Sequence, residues 1–178
     1  GHSDVWGAIA SHSGDAHFDF VYGAEWPAVL THLQGFAKPA LKKGKRSIAS
    51  QLVPGEDDGR VRRFLEYVAK IPPNGEAPLS SSDIMTLMLL AMAATYDPEP
   101  VAPNGFYLPY DLHTGERIEA RWRRWLKHDP INMVRVNKRR LEKLRGLYID
   151  CGWRDQFHIH FGSRQLSIQL TKPGIDHR

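Results

Sequence analysis

The stretch Gly146-Leu-Tyr-Ile-Asp-Cys-Gly-Trp-Arg-Asp-Gln-Phe157 decides how this chain is read. Its first five residues are apolar until the final acid, and the rest is rich in turn-formers and charge. The pattern predicts a buried strand over Gly146 to Asp150 that runs into a loop. A second stretch of the same kind lies near the other end. Trp6-Gly-Ala-Ile-Ala-Ser11 is a short apolar run, followed by the turn-prone His12-Ser13-Gly14-Asp15. It too predicts a buried strand and a loop. Helical patterns fill the sequence between these strands, so the expected class is α/β.

Pro27 suits the first turn of a helix carrying Val29, Leu30, Leu33 and Phe36. Lys38 to Gly59 is rich in Lys, Gly, Pro and Asp and reads as loop. Val61, Phe64, Leu65 and Val68 form a helical stripe, stopped by Ile71-Pro72-Pro73-Asn74-Gly75. Ser80, Ser81, Ser82 and Asp83 offer N-caps to a helix from Ile84 to Thr95. That helix is apolar nearly all round, which predicts a sandwiched helix or the wall of an apolar pocket. Asp97 to Pro109 should be irregular, with aromatics such as Phe106 covering a cleft. Helices follow around Glu116 to Lys127 and Pro130 to Leu144, the second with Asp129 as N-cap. The segment after the first strand is too long for a simple crossover. Residues from roughly 36 to 128 therefore read as a cap-like helical insertion in a single domain spanning 1–178.

The 178 residues are 42% hydrophobic and 25% charged, proportions that support a core and argue against disorder. One cysteine excludes an internal disulfide framework and points to a reducing, cytoplasmic setting. The longest apolar-rich run, Ile84 to Ala94, falls far short of the roughly 20 residues that span a bilayer. The net charge is +4, and its basic residues cluster, most densely from Arg121 to Arg145. With Trp122 and Trp125 among them, such a run is one footprint of a nucleic-acid-binding module. Ile118, Trp122, Trp125 and Leu126 nevertheless share one helical stripe, and buried tryptophans cannot stack on bases. Nucleic acid is therefore the disfavoured partner, and a solvated basic helix face the favoured reading.

Other constellations are weaker. Cys151, His158 and His160, with Asp150 or Asp155, are metal-ligand types without a defined zinc spacing, so no metal or cofactor is expected. Cys151 reads as a structural thiol at a strand end. Ser11, His12, Ser13 and Asp15 include all three triad residue types, but their adjacency prevents triad geometry and leaves a loop reading. The tail from Phe157 to Thr171 is ambiguous. Leu166, Ile168 and Leu170 alternate as in a strand, while the position after a parallel strand suits a helix.

Two segments, Asp4-Val-Trp-Gly-Ala-Ile-Ala-Ser-His-Ser-Gly-Asp15 and Leu147 to Phe157, resemble the esterases of the α/β-hydrolase superfamily, of the enterochelin and S-formylglutathione esterase kind. Met92 to Pro98, Trp122 to Asp129 and His158 to Arg164 fit the same resemblance. It implies a partial α/β-hydrolase fold and a serine carboxylic-ester hydrolase with a small-molecule ester substrate. Such chemistry needs Ser, then Asp or Glu, then His, and an oxyanion hole. Asp155 matches the acid position, with Asp150 as its rival. His12 would line the substrate cleft, and Tyr96 and Phe106, with Met85 and Met88, would shape the acyl or alcohol pocket. No G-x-S-x-G occurs, since Gly1-His2-Ser3-Asp4-Val5 has valine where glycine is required. The resemblance places the nucleophile before residue 1 and the catalytic histidine after Arg178, His177 falling short of that position. It makes the chain an inactive fragment of a larger enzyme, with self-association left open. It also predicts a helix over Ile159 to Leu170, against the local alternation.

Overall fold

The computed structural model describes residues 4–38, 57–72 and 78–178, and most of the Lys38 to Gly59 stretch, together with residues 73–77, lies outside them. The class is mixed α/β, with six α-helices and a two-stranded parallel sheet among the described residues. The chain divides into two compact units. One joins Gly1–Ala24 to Trp125–Arg178, and the other is Glu25–Arg124.

The first unit is built on the two quoted stretches. Strand β1 (Ala8–His12) pairs in parallel with β2 (Gly146–Asp150), in the register Ala8↔Gly146 to His12↔Asp150. The ladder is extended by Arg145 N–H on the Gly7 carbonyl (2.6 Å) and by Ser13 N–H on the Asp150 carbonyl (2.8 Å). Successive strand residues face opposite ways. Leu147 and Ile149 pack with Val134, Leu141, Leu166, Leu170 and Ile175. Val134 and Leu141 lie on α5 (Pro130–Leu141), and Leu166 and Leu170 on α6 (Ile159–Thr171). Both helices thus cover one face of the sheet. Ala8, Ala10 and His12 of β1, with Gly146, Tyr148 and Asp150 of β2, point the other way.

That arrangement corrects the expectation of two buried strands. β1 is mostly exposed, Ile9 by 45%, and β2 alternates between half-buried and exposed, with Tyr148 at 46%. Apolar composition marked the strands but not their cover: parallel sheets are normally helix-clad on both faces, whereas here Tyr148 lies on the unclad face and Ile9, on the same face as Leu147, lies outside the cluster that α5 and α6 pack over β2. The edge of β2 away from β1 is engaged at one point. Arg178 donates to the Leu147 carbonyl (3.0 Å) and accepts from Ile149 N–H (2.7 Å), the two bonds of a parallel bridge opposite Tyr148.

α6 confirms the helix expected over Ile159 to Leu170. Ile159, Gly162 and Leu170 are its buried residues, with Leu166 partly buried, a spacing of three and four. Ile168, which completed the apparent alternation, is 54% exposed. Gly162 lets α6 approach the segment before it, since a Cβ there would collide with the Ala16 carbonyl. α5 starts as expected, with Asp129 as N-cap and Pro130 in the first turn. The Asp129 carboxylate is buried and accepts more than the cap bond. Oδ1 takes the N–H groups of Ile131 and His17 (both 3.0 Å), and Oδ2 takes that of Phe18 (2.9 Å). One side chain thereby ties the loop after β1 to the start of α5.

The second unit holds α1 (Trp26–Gln34), α2 (Arg60–Val68), α3 (Ser81–Tyr96) and most of α4 (Glu119–Leu126), whose last two residues group with the first unit. α3 opens with a capping box. Ser80 Oγ accepts from Asp83 N–H (3.1 Å) and Asp83 Oδ2 accepts from Ser80 N–H (2.9 Å). Its apolar surface is not wrapped all round as expected: Leu89, Leu90 and Ala93 are buried, but Ile84 is 56% exposed. The irregular Asp97 to Pro109 region is held by bonds across a Pro98–Phe106 bridge and by the buried Asp97 carboxylate, which accepts from Arg121 (2.8 Å) and Arg124 (2.5 Å). Arg60, itself buried, is clamped by Asp58 (2.7 Å) and the Leu112 carbonyl (2.8 Å).

Three carboxyls of this unit, Asp58, Asp83 and Asp111, are held below the ordinary carboxylate range. At each, burial is the largest single influence and pushes upward, but hydrogen bonds and cations together outweigh it. The donors are Arg60 for Asp58, with His113 acting on it only through its charge, Ser80 and His32 for Asp83, and Thr114 and His113 for Asp111. A carboxyl depressed in the folded state contributes stability above its unfolded pKa of about 3.9, and that stability is lost as pH falls through the folded value. The thermal midpoint should therefore be flat from neutral pH to about 5 with respect to these groups and fall below about 4. Asp83→Asn should flatten part of that acid limb in a pH series of melting curves. Separately, Asp129→Ala strands three backbone N–H groups and should cost about 3 kcal/mol in urea unfolding. Asp129→Asn, which keeps one acceptor oxygen, should cost less.

Candidate functional site

Ligands of open parallel sheets gather beyond the carboxyl ends of the strands. Here that edge presents His12 and Asp150, the last residues of β1 and β2, and then the loops after them. Because the strands are in register, these two side chains emerge side by side on the uncovered face. His12 Nδ1 lies 2.8 Å from Asp150 Oδ1, and the His12 ring is 5.8 Å from that of Tyr148. The side chains are 69% and 45% exposed. With Nδ1 engaged by a carboxylate, Nε2 is left as the outward nitrogen, the orientation a general base requires.

Asp155 lies five residues beyond β2. Its Oδ1 accepts from the backbone N–H groups of Phe157 (2.9 Å) and Ile159 (3.2 Å), at the entrance to α6. Oδ1 therefore serves as a capping acceptor at the start of α6. Oδ2 accepts nothing among the described residues, so one oxygen positions the side chain and the other is available. Backbone in the left-handed region brackets this edge, at Ser13 and His17 after β1 and at His158 before α6. Asp15 is bound by the Tyr22 hydroxyl (2.5 Å), which fixes the loop that follows β1. Cys151 is half-buried and unpaired in a disulfide.

The remaining predicted residues are placed as follows. Tyr96 ends α3 half-buried, and Phe106 is buried at the Pro98 bridge, so Phe106 acts as packing within the second unit instead of covering an open cleft. Met85 sits on α3, in a shallow hollow with His32 and Thr86. His158 and His160 have rings 6.4 Å apart, and no three His, Cys, Asp or Glu side chains converge on a metal-sized space among the described residues. Trp122 and Trp125 are buried, as their helical stripe predicted, and offer no stacking face. Arg121 and Arg124 both pair with Asp97, whose single charge offsets one of their two.

Two pairings were not foreseen. Sequence separation hid the His12–Asp150 contact, although both residues end their strands and the register brings strand ends together. The other is Ser167 on α6, whose Oγ lies 2.7 Å from His177 Nε2, while His177 Nδ1 bonds the Ile175 carbonyl at 2.8 Å. It has the outline of a Ser–His pair. Its placement anchors the segment leading to the Arg178 bridge.

No protein-family model matches this chain, and no curated protein matches it. The site must be judged on its own geometry. An exposed ion pair contributes little to stability. Asp150→Asn should accordingly leave the melting temperature within about 1 °C of the parent. The same change should alter the His12 tautomer populations, read from ring nitrogen shifts in a nitrogen-15 NMR spectrum. Unchanged shifts would show that the pair does not persist in solution.

Proposed function

We propose that these residues form the acid-bearing part of a carboxylic-ester hydrolase that works through an acyl-serine intermediate. Asp155 is the carboxylate that orients the catalytic histidine. The observation that carries the reading is the state of that side chain: it stands in the loop past the carboxyl end of a parallel strand, with Oδ1 locked by two backbone N–H groups and Oδ2 open. A triad acid has that need, because it must hold an imidazole in one tautomer and stabilise its cation without moving. The Arg178 bridge supports the reading further, since it starts a third parallel position beside β2, where a strand leading to a histidine loop would run.

In such a reaction the serine Oγ adds to the ester carbonyl as its proton passes to the histidine. The histidine returns that proton to the departing alkoxide, and water then repeats the sequence on the acyl-enzyme. The small-molecule ester would lie across the carboxyl edge, with His12 at its border. Asp150, occupied by His12, is the less available of the two acids. The rival class, a non-enzymatic scaffold or basic binding module, draws support only from the exposed cations of α5, since the interleaved tryptophans are buried.

The purified 178-residue chain should show no serine-directed hydrolysis of p-nitrophenyl acetate and no labelling by a fluorophosphonate. Activity abolished by Ser167→Ala would instead make the Ser167–His177 pair the nucleophile. In a polypeptide carrying the serine and histidine segments together with these residues, Asp155→Asn should lower kcat by about ten-thousand-fold. Near-normal turnover would remove Asp155 from the role.

A further inference from the structure

A row of flat side chains lies along the junction between the Asp155 loop and α6. Phe20 and Phe161 have ring centroids 6.0 Å apart. The Arg164 guanidinium follows, 5.6 Å from the Phe161 centroid and 4.4 Å from that of Trp153. Phe20 is backed by His17 at 4.5 Å, and Phe161 by His160 at 4.1 Å. Sequence explains the row. Phe161 and Arg164 are three apart on α6 and share a face, and Trp153 projects from the loop before it.

Three features set this row apart from ordinary packing. Its large apolar members are exposed together: Phe20 by 41%, Phe161 by 43% and Trp153 by 78%. Contiguous exposed aromatics on a soluble protein mark binding surfaces. Arg164 lies over the Trp153 ring and near that of Phe161, and is paired with no carboxylate among the described residues, so its N–H donors are left without an anionic partner. Nδ1 of His17 and Nδ1 of His160, both buried behind the row, have no hydrogen-bond partner. These groups therefore have no hydrogen-bond partner among the described residues, although Arg164 is engaged with two rings.

We propose that this row is a binding site for a planar aromatic ring bearing a carboxylate. The carboxylate would take two N–H donors of Arg164 in the bidentate mode, and the ring would pack beside the guanidinium against the parts of Trp153 and Phe161 that Arg164 leaves exposed. An aliphatic acid supplies only the charge and a neutral aromatic ester only the stacking, so each alone should bind less well. The site is independent of ester hydrolysis, because it requires neither Asp155 nor a nucleophile.

The test is a titration of the full chain with 2-naphthoate, followed by ligand-observed NMR. Methyl 2-naphthoate serves as the ring without charge and hexanoate as the charge without ring. Saturable binding is expected, with Kd on the order of 1 mM for a ligand of this size. Arg164→Gln and Trp153→Ala should each weaken it about tenfold or more, while Arg139→Gln on α5 should not. The altered residues are exposed, so circular dichroism should confirm folded variants. Absence of saturation by about 10 mM would overturn the proposal. So would undiminished binding to Arg164→Gln, or equal binding of the neutral ester, which would reduce the row to a non-specific apolar surface.

Discussion

Parallel pairing between β1 and β2 is the constraint on which the first unit depends. Two parallel strands cannot be joined by a hairpin, so the chain must travel away and return before a single ladder bond forms. Here the return is long: His12 and Asp150, which meet at the end of the ladder, are 138 residues apart. Closing such a loop costs entropy that no local contact offsets. The packing of Leu147 and Ile149 against Val134, Leu141, Leu166 and Leu170 compensates, and it needs both helices in place at once. The Asp129 carboxylate belongs to the same constraint, because it binds the exit of β1 to the start of the helix that delivers β2.

How far the sequence could be read follows from which forces are local. Both strands, the Asp129 cap and the Val61–Phe64–Leu65–Val68 stripe rest on patterns within a few residues, and all are where those patterns put them. Strand burial is not legible in the sequence because it depends on what lies opposite, and an apolar run looks the same whether one face is covered or two. α6 shows the converse. Leu166, Ile168 and Leu170 alternate in the sequence, yet the buried set is Ile159, Gly162 and Leu170, with Leu166 partly buried beside them. The small Gly162 carried the decisive information, as the point where backbone meets the Ala16 carbonyl, and glycine has no hydrophobic signal to read.

Charge was legible as a sum and illegible as a surface. The basic cluster reads as one positive run, but Asp97, distant in sequence, pairs with both Arg121 and Arg124 from a buried position and offsets one of their two charges, and Asp58 pairs with Arg60. What remains exposed on α5 is a narrower face than the count suggests. Arg164 is the opposite case. It stands outside the clustered run, and its unpaired guanidinium emerges only when Trp153 and Phe161 are brought beside it.

The capping and catalytic readings of Asp155 look like rivals in the sequence, because one residue seems to permit one role. A carboxylate has two oxygens, and the geometry separates them. Oδ1 satisfies the N–H of Phe157 in the loop and that of Ile159, a donor that the start of α6 would otherwise leave unpaired in any protein with a helix there. That same fixation is what an acid must have if it is to hold an imidazole, since a freely rotating carboxylate would lose its orientation each time the partner moved. Structural service by one oxygen thus prepares the other for chemistry. Asp150 has made a different commitment, with its ordering bond spent on His12, itself a titratable ring at the exposed edge. The two acids of the strand-and-loop stretch are distinguished by what already holds them, a distinction that residue type and spacing alone do not contain.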